Sequence, residues 1–141
     1  MKTARRERGS VMIEFAAALI LLSAMFTGIF QIGYTFFTYS ALLNAVRTGA
    51  RYASLKAASG SVSDPQLAKS VANMVVYGDP QPTANTRPVV RGLTGDKVEL
   101  ILGPAAATVS VRDFEIDALF TKMKLAGRPT VTFPIPNGGS K

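Results

Sequence analysis

The sequence predicts an α+β protein in which a long amino-terminal helix crosses a membrane, continues as a stalk, and packs on a small antiparallel sheet with one or two short helices. Residues 11–37 are almost wholly apolar, and Glu14 is their one formally charged side chain. Apolar side chains then recur every three or four residues as far as Ala57, which is the period of a helix. Beyond Arg87 they alternate with polar ones, which is the period of a strand.

The apolar run is long enough to span a membrane. About 20 apolar residues in a helix cross the roughly 30 Å hydrocarbon core, and no proline interrupts residues 11–37. A basic cluster with a single acid precedes the run, and such clusters remain on the cytoplasmic side. The chain beyond the span is therefore expected outside the cytoplasm. A secretory signal peptide is the alternative, but its apolar region is typically about 7 to 15 residues long and ends at a small-x-small site.

Glu14 is the unusual residue of the span. An unpaired carboxylate at the centre of a membrane helix costs on the order of 2.5 to 3.5 kcal/mol, so it usually has a partner or a task. Glu14 lies about 6 Å of helix rise beyond Ser10, near the cytoplasmic end. An interfacial acid tolerated because of its depth is one interpretation, and an acid paired with a cation is the other.

The residues before Glu14 favour the paired acid. In Gly9-Ser10-Val11-Met12-Ile13-Glu14, a glycine stands where the basic and apolar residues meet, and the acid follows five positions later. This spacing resembles the prepilin peptidase site of type IV pilins and pseudopilins. The resemblance implies cleavage between Gly9 and Ser10, loss of the leader 1–9, and pairing of Glu14 with the new Ser10 amine of an adjacent subunit. Opposite charges attract far more strongly in a low-dielectric bundle than in water.

A second motif narrows the resemblance. Residues 41–53, ALLNAVRTGARYA, are close to A-x-x-x-A-A-R-x-G-A-R-x-A and depart from it at Val46. With GSVMIEFAAAL and the helix beyond, they look like the TadE-like family of the tight-adherence pilus and secretion system, over about the first 55 residues. A proline frequent within the family's span is missing here. The resemblance implies a pilin-like layout and helix interactions through Arg47, Gly49 and Arg51. A solvated face or contact with lipid headgroups is the alternative for the two arginines.

The remaining chain predicts a small domain. The membrane and stalk helix is expected at 10–58, an α+β periplasmic domain at 59–136, and a flexible tail at 137–141. Asp64 and Pro65 begin a short helix that ends before Gly78, and a proline-containing loop follows at 78–88. Strands are predicted at 89–91, 97–102, 108–114 and 130–135, with a short helix at 116–125 capped by Gly127. Pro134 and Pro136 suit the end of an edge strand.

Composition argues against several functions. The chain has neither cysteine nor histidine, which are the usual ligands of zinc and iron and, in histidine, the usual general base. No enzyme, cofactor or metal site is therefore predicted. Asp113, Glu115 and Asp117 alternate as in a calcium loop, but Ala118 stands where that loop requires glycine. The leader carries four basic residues and one acid, a net +3 of the formal +7, and arginines at the helix border carry more of the charge, so nucleic acid is not an expected partner.

Two functions follow as expectations. In the first, the chain is a pseudopilin or minor pilin of a tight-adherence pilus assembly or secretion system. It sits in the bacterial inner membrane as a single-pass protein and assembles as a homo- or hetero-oligomer. The expected partners are the prepilin peptidase, other pilins or pseudopilins, the inner-membrane assembly platform and membrane lipid. In the second, it is an uncleaved single-pass protein whose periplasmic domain is a scaffold or binds a partner.

Overall fold

The computed structural model describes residues 4–60, 65–118, 122–125 and 128–136, with side chains from Gly9 onward. In these described ranges two helices precede five strands: α1 (Ala4–Ala58), α2 (Pro65–Tyr77), β1 (Val98–Leu102), β2 (Ala106–Val111), β3 (Phe114–Asp117), β4 (Lys122–Leu125) and β5 (Thr130–Pro134). A single 3-10 turn, Gly95–Lys97, leads into β1. The α+β class, with a long first helix and small antiparallel sheets, is confirmed. The predicted tail, 137–141, lies outside the described residues.

Helix α1 dominates the molecule. It is continuous over 55 residues, about 80 Å at 1.5 Å per residue, and it begins at Ala4 rather than at the expected residue 10. Hydroxyl groups along it turn back onto the helix, because Ser23, Thr27 and Thr35 donate to the carbonyl oxygens four residues earlier at 2.8–2.9 Å. These bonds satisfy polar side chains that lack water in an apolar setting.

Helix α2 packs against the carboxy-terminal part of α1, residues 38–58, here called the outward half, as its apolar stripe predicts. Pro65 opens the helix, where its missing N–H costs nothing. Gly78 follows the last helical residue at a φ of +74°, and its N–H donates to the Met74 carbonyl at 3.0 Å. The buried side chains of α2 are Leu67, Val71, Val75 and Val76. The short helix is therefore confirmed, while its expected cap, Asp64, lies outside the described residues.

The main sheet is antiparallel in the order β1-β2-β5. Its inner face contributes Ala107, Val109 and Val111, which have no exposed area, and β2 and β5 contact α1. The outer face is polar, with a 2.9 Å hydrogen bond between the Thr108 and Thr132 hydroxyls. Strand β5 lies at an edge and ends at Pro134, as predicted. The core lies between α1, α2 and this sheet.

Two sequence predictions are wrong, and a third is right only in part. The described residues of the predicted helix 116–125 are not helical, because 116–117 and 122–125 belong to β3 and β4, which pair antiparallel. Residues 119–121 and Gly127 lie outside the described residues. Acidic residues in β3 face lysines in β4 at every second position, so the true period is two. The predicted strand 108–114 is divided at Asp113, whose φ is +48°.

The second error concerns residues 89–91, which form bends and a turn rather than a strand. The Val89 N–H donates to the Val76 carbonyl at 2.7 Å, so this segment caps the end of α2. Val90 is 4% exposed and fills the core beside it. Short apolar runs of this kind fit either a strand or a buried loop, because their periodicity is undefined.

Candidate functional site

The residues of the expected cleavage and pairing site lie in the first part of α1. Gly9 and Ser10 are exposed and helical, and a Cβ atom at residue 9 would have no neighbour within 4 Å. Glu14 follows one turn later and is also exposed. None of the ion pairs formed by the described residues includes Glu14. The scissile bond predicted between Gly9 and Ser10 therefore lies within a helix whose surface is not covered there by any other described part of the chain.

The helix beyond Glu14 carries a continuous apolar surface. Its aliphatic, methionine and phenylalanine side chains from Val11 to Phe37 are 51–76% exposed, and Tyr34 is 40% exposed. Within the described residues, α1 is the one helix that is long enough and apolar enough to cross a membrane. A helix that is apolar on all sides is stable only in lipid or inside protein. The geometry therefore supports a membrane span at this end of the chain.

The outward half of the same helix has a buried face and an exposed face. Leu42, Val46, Ala50 and Ala53 have no exposed area and pack in the core. Arg47 and Arg51 are exposed one turn apart, and no ion pair of the described part of the chain contains either of them. The two guanidinium groups therefore face away from the core.

Gly49 lies on the buried face and brings α1 and α2 together. A Cβ atom at this position would overlap the Cγ2 atom of Val75 and would lie 3.7 Å from the Val71 carbonyl oxygen. Glycine is therefore required by the close approach of the two helices. Of the three motif residues, Gly49 packs against α2 within the chain, and Arg47 and Arg51 are exposed cations.

These residues do not converge on one pocket. Glu14 and Arg47 are separated by about 50 Å of helix rise. The arrangement is a rod with the predicted cleavage and pairing residues at one end and two exposed arginines at the other. Such an arrangement provides surfaces for association.

Sequence reasoning missed the clefts beside α1. One, of about 540 Å³, lies between Tyr34 and Phe37 of α1 and the acidic residues of β3, with Lys97 at its rim. A second lies between Phe30 and Tyr34 and the end of the β3–β4 hairpin. Glu115 pairs with Lys124 at 3.2 Å and Asp117 with Lys122 at 3.4 Å. The charge alternation at 115–124 was the signal that could have revealed this hairpin.

The rod, its exposed apolar half and its small outward domain define a pilin-like α+β protein with one helix that could span a membrane. The family model described as TadE-like protein matches residues 9–51. The resemblance is therefore confirmed over that segment, which is TadE-like and contains Gly9, Glu14 and the Arg47–Arg51 motif. At the family level this match supports a part in a tight-adherence pilus system. No curated protein and no solved structure matches the chain.

Proposed function

We propose that the chain is a pseudopilin or minor pilin of a tight-adherence pilus assembly or secretion system. It is inserted in the bacterial inner membrane through α1 with its domain in the periplasm. A prepilin peptidase then cuts between Gly9 and Ser10, and the mature chain assembles with other pilins through α1. One observation carries the proposal: the TadE-like segment contains both an exposed apolar half-helix and a half-helix that forms the core of a small domain.

The exposed half of α1 supports assembly because it has no cover within the described chain. Each Å² of apolar surface removed from water contributes about 25 cal/mol, so side chains such as Ile13, at 74% exposed, and Phe26, at 71%, favour burial in lipid. Lipid covers this surface in the precursor. Neighbouring pilin helices can replace that lipid during assembly. Helix association in lipid is driven by side-chain packing and not by removal of apolar surface from water.

Glu14 supports a specific register for that assembly. It is exposed, unpaired among the described residues, and five positions after the glycine of the proposed cleavage site. Cleavage creates an α-amino group at Ser10. A cation on one subunit and a carboxylate on the next attract strongly where water is excluded, so this pair would align neighbouring helices.

The cleavage step is tested by the amino-terminal mass of the protein recovered from cells that contain the peptidase. The wild-type chain should begin at Ser10, and Gly9→Ala should accumulate as the longer precursor. Gly28→Ala is the matched control, since residue 28 also has open space around it, and it should mature normally. A wild-type chain that keeps its leader would contradict the proposal and favour an uncleaved scaffold.

The pairing step is tested by Glu14→Leu and Glu14→Asp. The leucine variant should insert in the membrane at least as well, because a charge has been removed from the span, but should co-purify poorly with other pilins. The aspartate variant keeps the charge and should retain part of the association. Equal assembly of wild type and Glu14→Leu would mean that the acid is merely tolerated by its depth.

A further inference from the structure

The β3–β4 hairpin extends along α1 towards the proposed membrane span. Its root is buried, with Phe114 at 1% and Ile116 at 2% exposed. Its other end, at Asp117, Ala118 and Lys122, shares a cleft of about 630 Å³ with Phe30 and Tyr34 of α1. The described end of the hairpin therefore lies beside Phe30 and Tyr34.

That position fixes a limit for the membrane. Asp117 and Lys122 have side chains that are 73% and 72% exposed, and charged groups of this kind are costly in hydrocarbon. The hydrocarbon must therefore end on the amino-terminal side of Phe30. The apolar residues from Val11 to Ile29 provide about 28 Å of helix, which matches the roughly 30 Å thickness of the hydrocarbon core. Two independent constraints give the same boundary.

We propose that the hairpin end at Asp117, Ala118 and Lys122 lies on the phospholipid headgroups of the leaflet from which α1 emerges. This inference rests on the proposed insertion of α1 in a membrane. Lys122 binds headgroup phosphate, and the adjacent Met123, 49% exposed, lies one residue nearer the root of the hairpin, beside the headgroups. The hairpin thus gives the domain a second contact with the bilayer beside α1.

The chemistry of the hairpin fits this occupant. The Asp117–Lys122 pair is exposed and 3.4 Å long, and exposed ion pairs contribute little to stability, so Lys122 can exchange its partner. Its long apolar stem allows the ammonium group to reach the phosphate level. The two acids and two lysines of the described strands balance in charge. Contact therefore depends on placement by α1 rather than on long-range attraction to anionic lipid.

The experiment uses the full chain, which has no cysteine and so accepts single labels. A fluorophore is attached at Met123→Cys, Leu55→Cys or Leu22→Cys, whose native side chains are 49%, 56% and 65% exposed. Each protein is reconstituted in phosphatidylcholine and phosphatidylglycerol vesicles that carry a nitroxide quencher on the headgroup or on the acyl chain. Leu55 is the matched control, because it lies about 37 Å of helix rise beyond Phe30.

Headgroup nitroxide should quench the label at residue 123 several-fold more than the label at residue 55, and acyl-chain nitroxide should quench the label at residue 22. Equal headgroup quenching at 123 and 55, with residue 22 still quenched from the acyl chains, would overturn the hairpin contact and leave membrane insertion intact. No acyl-chain quenching at residue 22 would overturn both.

The role of Lys122 is tested in the Met123→Cys background. Lys122→Ala should lower headgroup quenching of the label, because the phosphate contact is lost. Lys69→Ala, which removes an exposed lysine on α2, should leave the quenching unchanged. Equal quenching in Lys122→Ala and its parent would overturn the assignment of Lys122 to phosphate.

Discussion

The two halves of α1 are built from similar apolar residues and yet have opposite environments. In the amino-terminal half, Ile13 and Phe36 are 74% and 73% exposed, whereas in the outward half Leu42 and Val46 have no exposed area. The backbone is one uninterrupted helix, so local structure is the same in both. Burial of an apolar side chain in α1 therefore depends on whether another element packs against it and not on the residue type.

The pattern of polar residues explains which half finds a partner within the chain. In the outward half, exposed Arg47 and Arg51 stand opposite a buried face that contains Gly49, so a single domain can cover the apolar side. The amino-terminal half is apolar on all sides, and one small domain cannot surround it. Such a helix requires lipid or several neighbouring helices.

The sharpest test of this comparison removes one phenylalanine from each environment. Phe114→Ala should lower the free energy of unfolding of the domain by about 3 to 5 kcal/mol, because a buried ring is replaced by a cavity. Phe36→Ala should leave it nearly unchanged, since that ring is 73% exposed. Urea titration of the full chain in detergent micelles, followed by tyrosine fluorescence, measures both. Equal losses would mean that the exposed half also supports the domain.

The next largest effect is expected where the two helices meet. Gly49→Ala should destabilise the domain by about 1 to 3 kcal/mol, because its Cβ would overlap Val75 and overpacking exceeds the gain in helix propensity. Gly28→Ala has open space and should lose no stability. The same urea titration separates the two variants, and a stable Gly49→Ala protein would show that α2 can shift away from α1.

A smaller effect is expected where α1 meets the edge strand. The Ser54 hydroxyl is buried and donates to the Pro134 carbonyl at 2.5 Å. Ser54→Ala should cost about 1 kcal/mol, the usual net contribution of a hydrogen bond. Ser59→Ala loses an exposed bond to the Lys56 carbonyl and should change stability little. Thermal unfolding of both variants measures the effect. Identical midpoints would show that the Ser54 hydrogen bond does not stabilise the domain.

The smallest effect concerns pH. A hydrogen bond from the Thr94 side chain, helped by the Asp96 backbone N–H, lowers the pKa of the exposed Asp96 carboxyl below its ordinary value. The stabilisation is therefore present above the unfolded pKa of about 3.9 and is lost as pH falls through the lower folded pKa. Thr94→Val should raise the Asp96 pKa, measured by carboxyl carbon NMR, whereas Thr86→Val should not. An unchanged pKa in Thr94→Val would exclude the hydroxyl as its main cause.

Sequence patterns were sufficient to predict the elements whose signal lies within one segment of the chain. The span, the stalk, α2, β1 and β5 follow from periodicity, proline and glycine within single segments. The β3–β4 hairpin was not predicted, because Ile116 and Met123 meet only across the strand pair. Likewise, the motif containing Gly49 indicated an interaction. The neighbour of Gly49 is Val75 only because α2 folds back against α1.

The sequence alone predicted a helix over residues 10–58, more than about 60 Å long, apolar at one end and amphipathic at the other, with a TadE-like motif along it. These properties are local, because helix period and hydrophobicity depend on neighbouring residues in the chain. Only the tertiary structure decided that Gly49 contacts Val75, that the acids of β3 pair with lysines of β4, and that this hairpin reaches Phe30. The contacts of Gly49 and Phe30 join residues far apart in sequence, so no single segment carries the information that places them together. The β3–β4 pairs join residues close in sequence, and the charge alternation at 115–124 was their local signal.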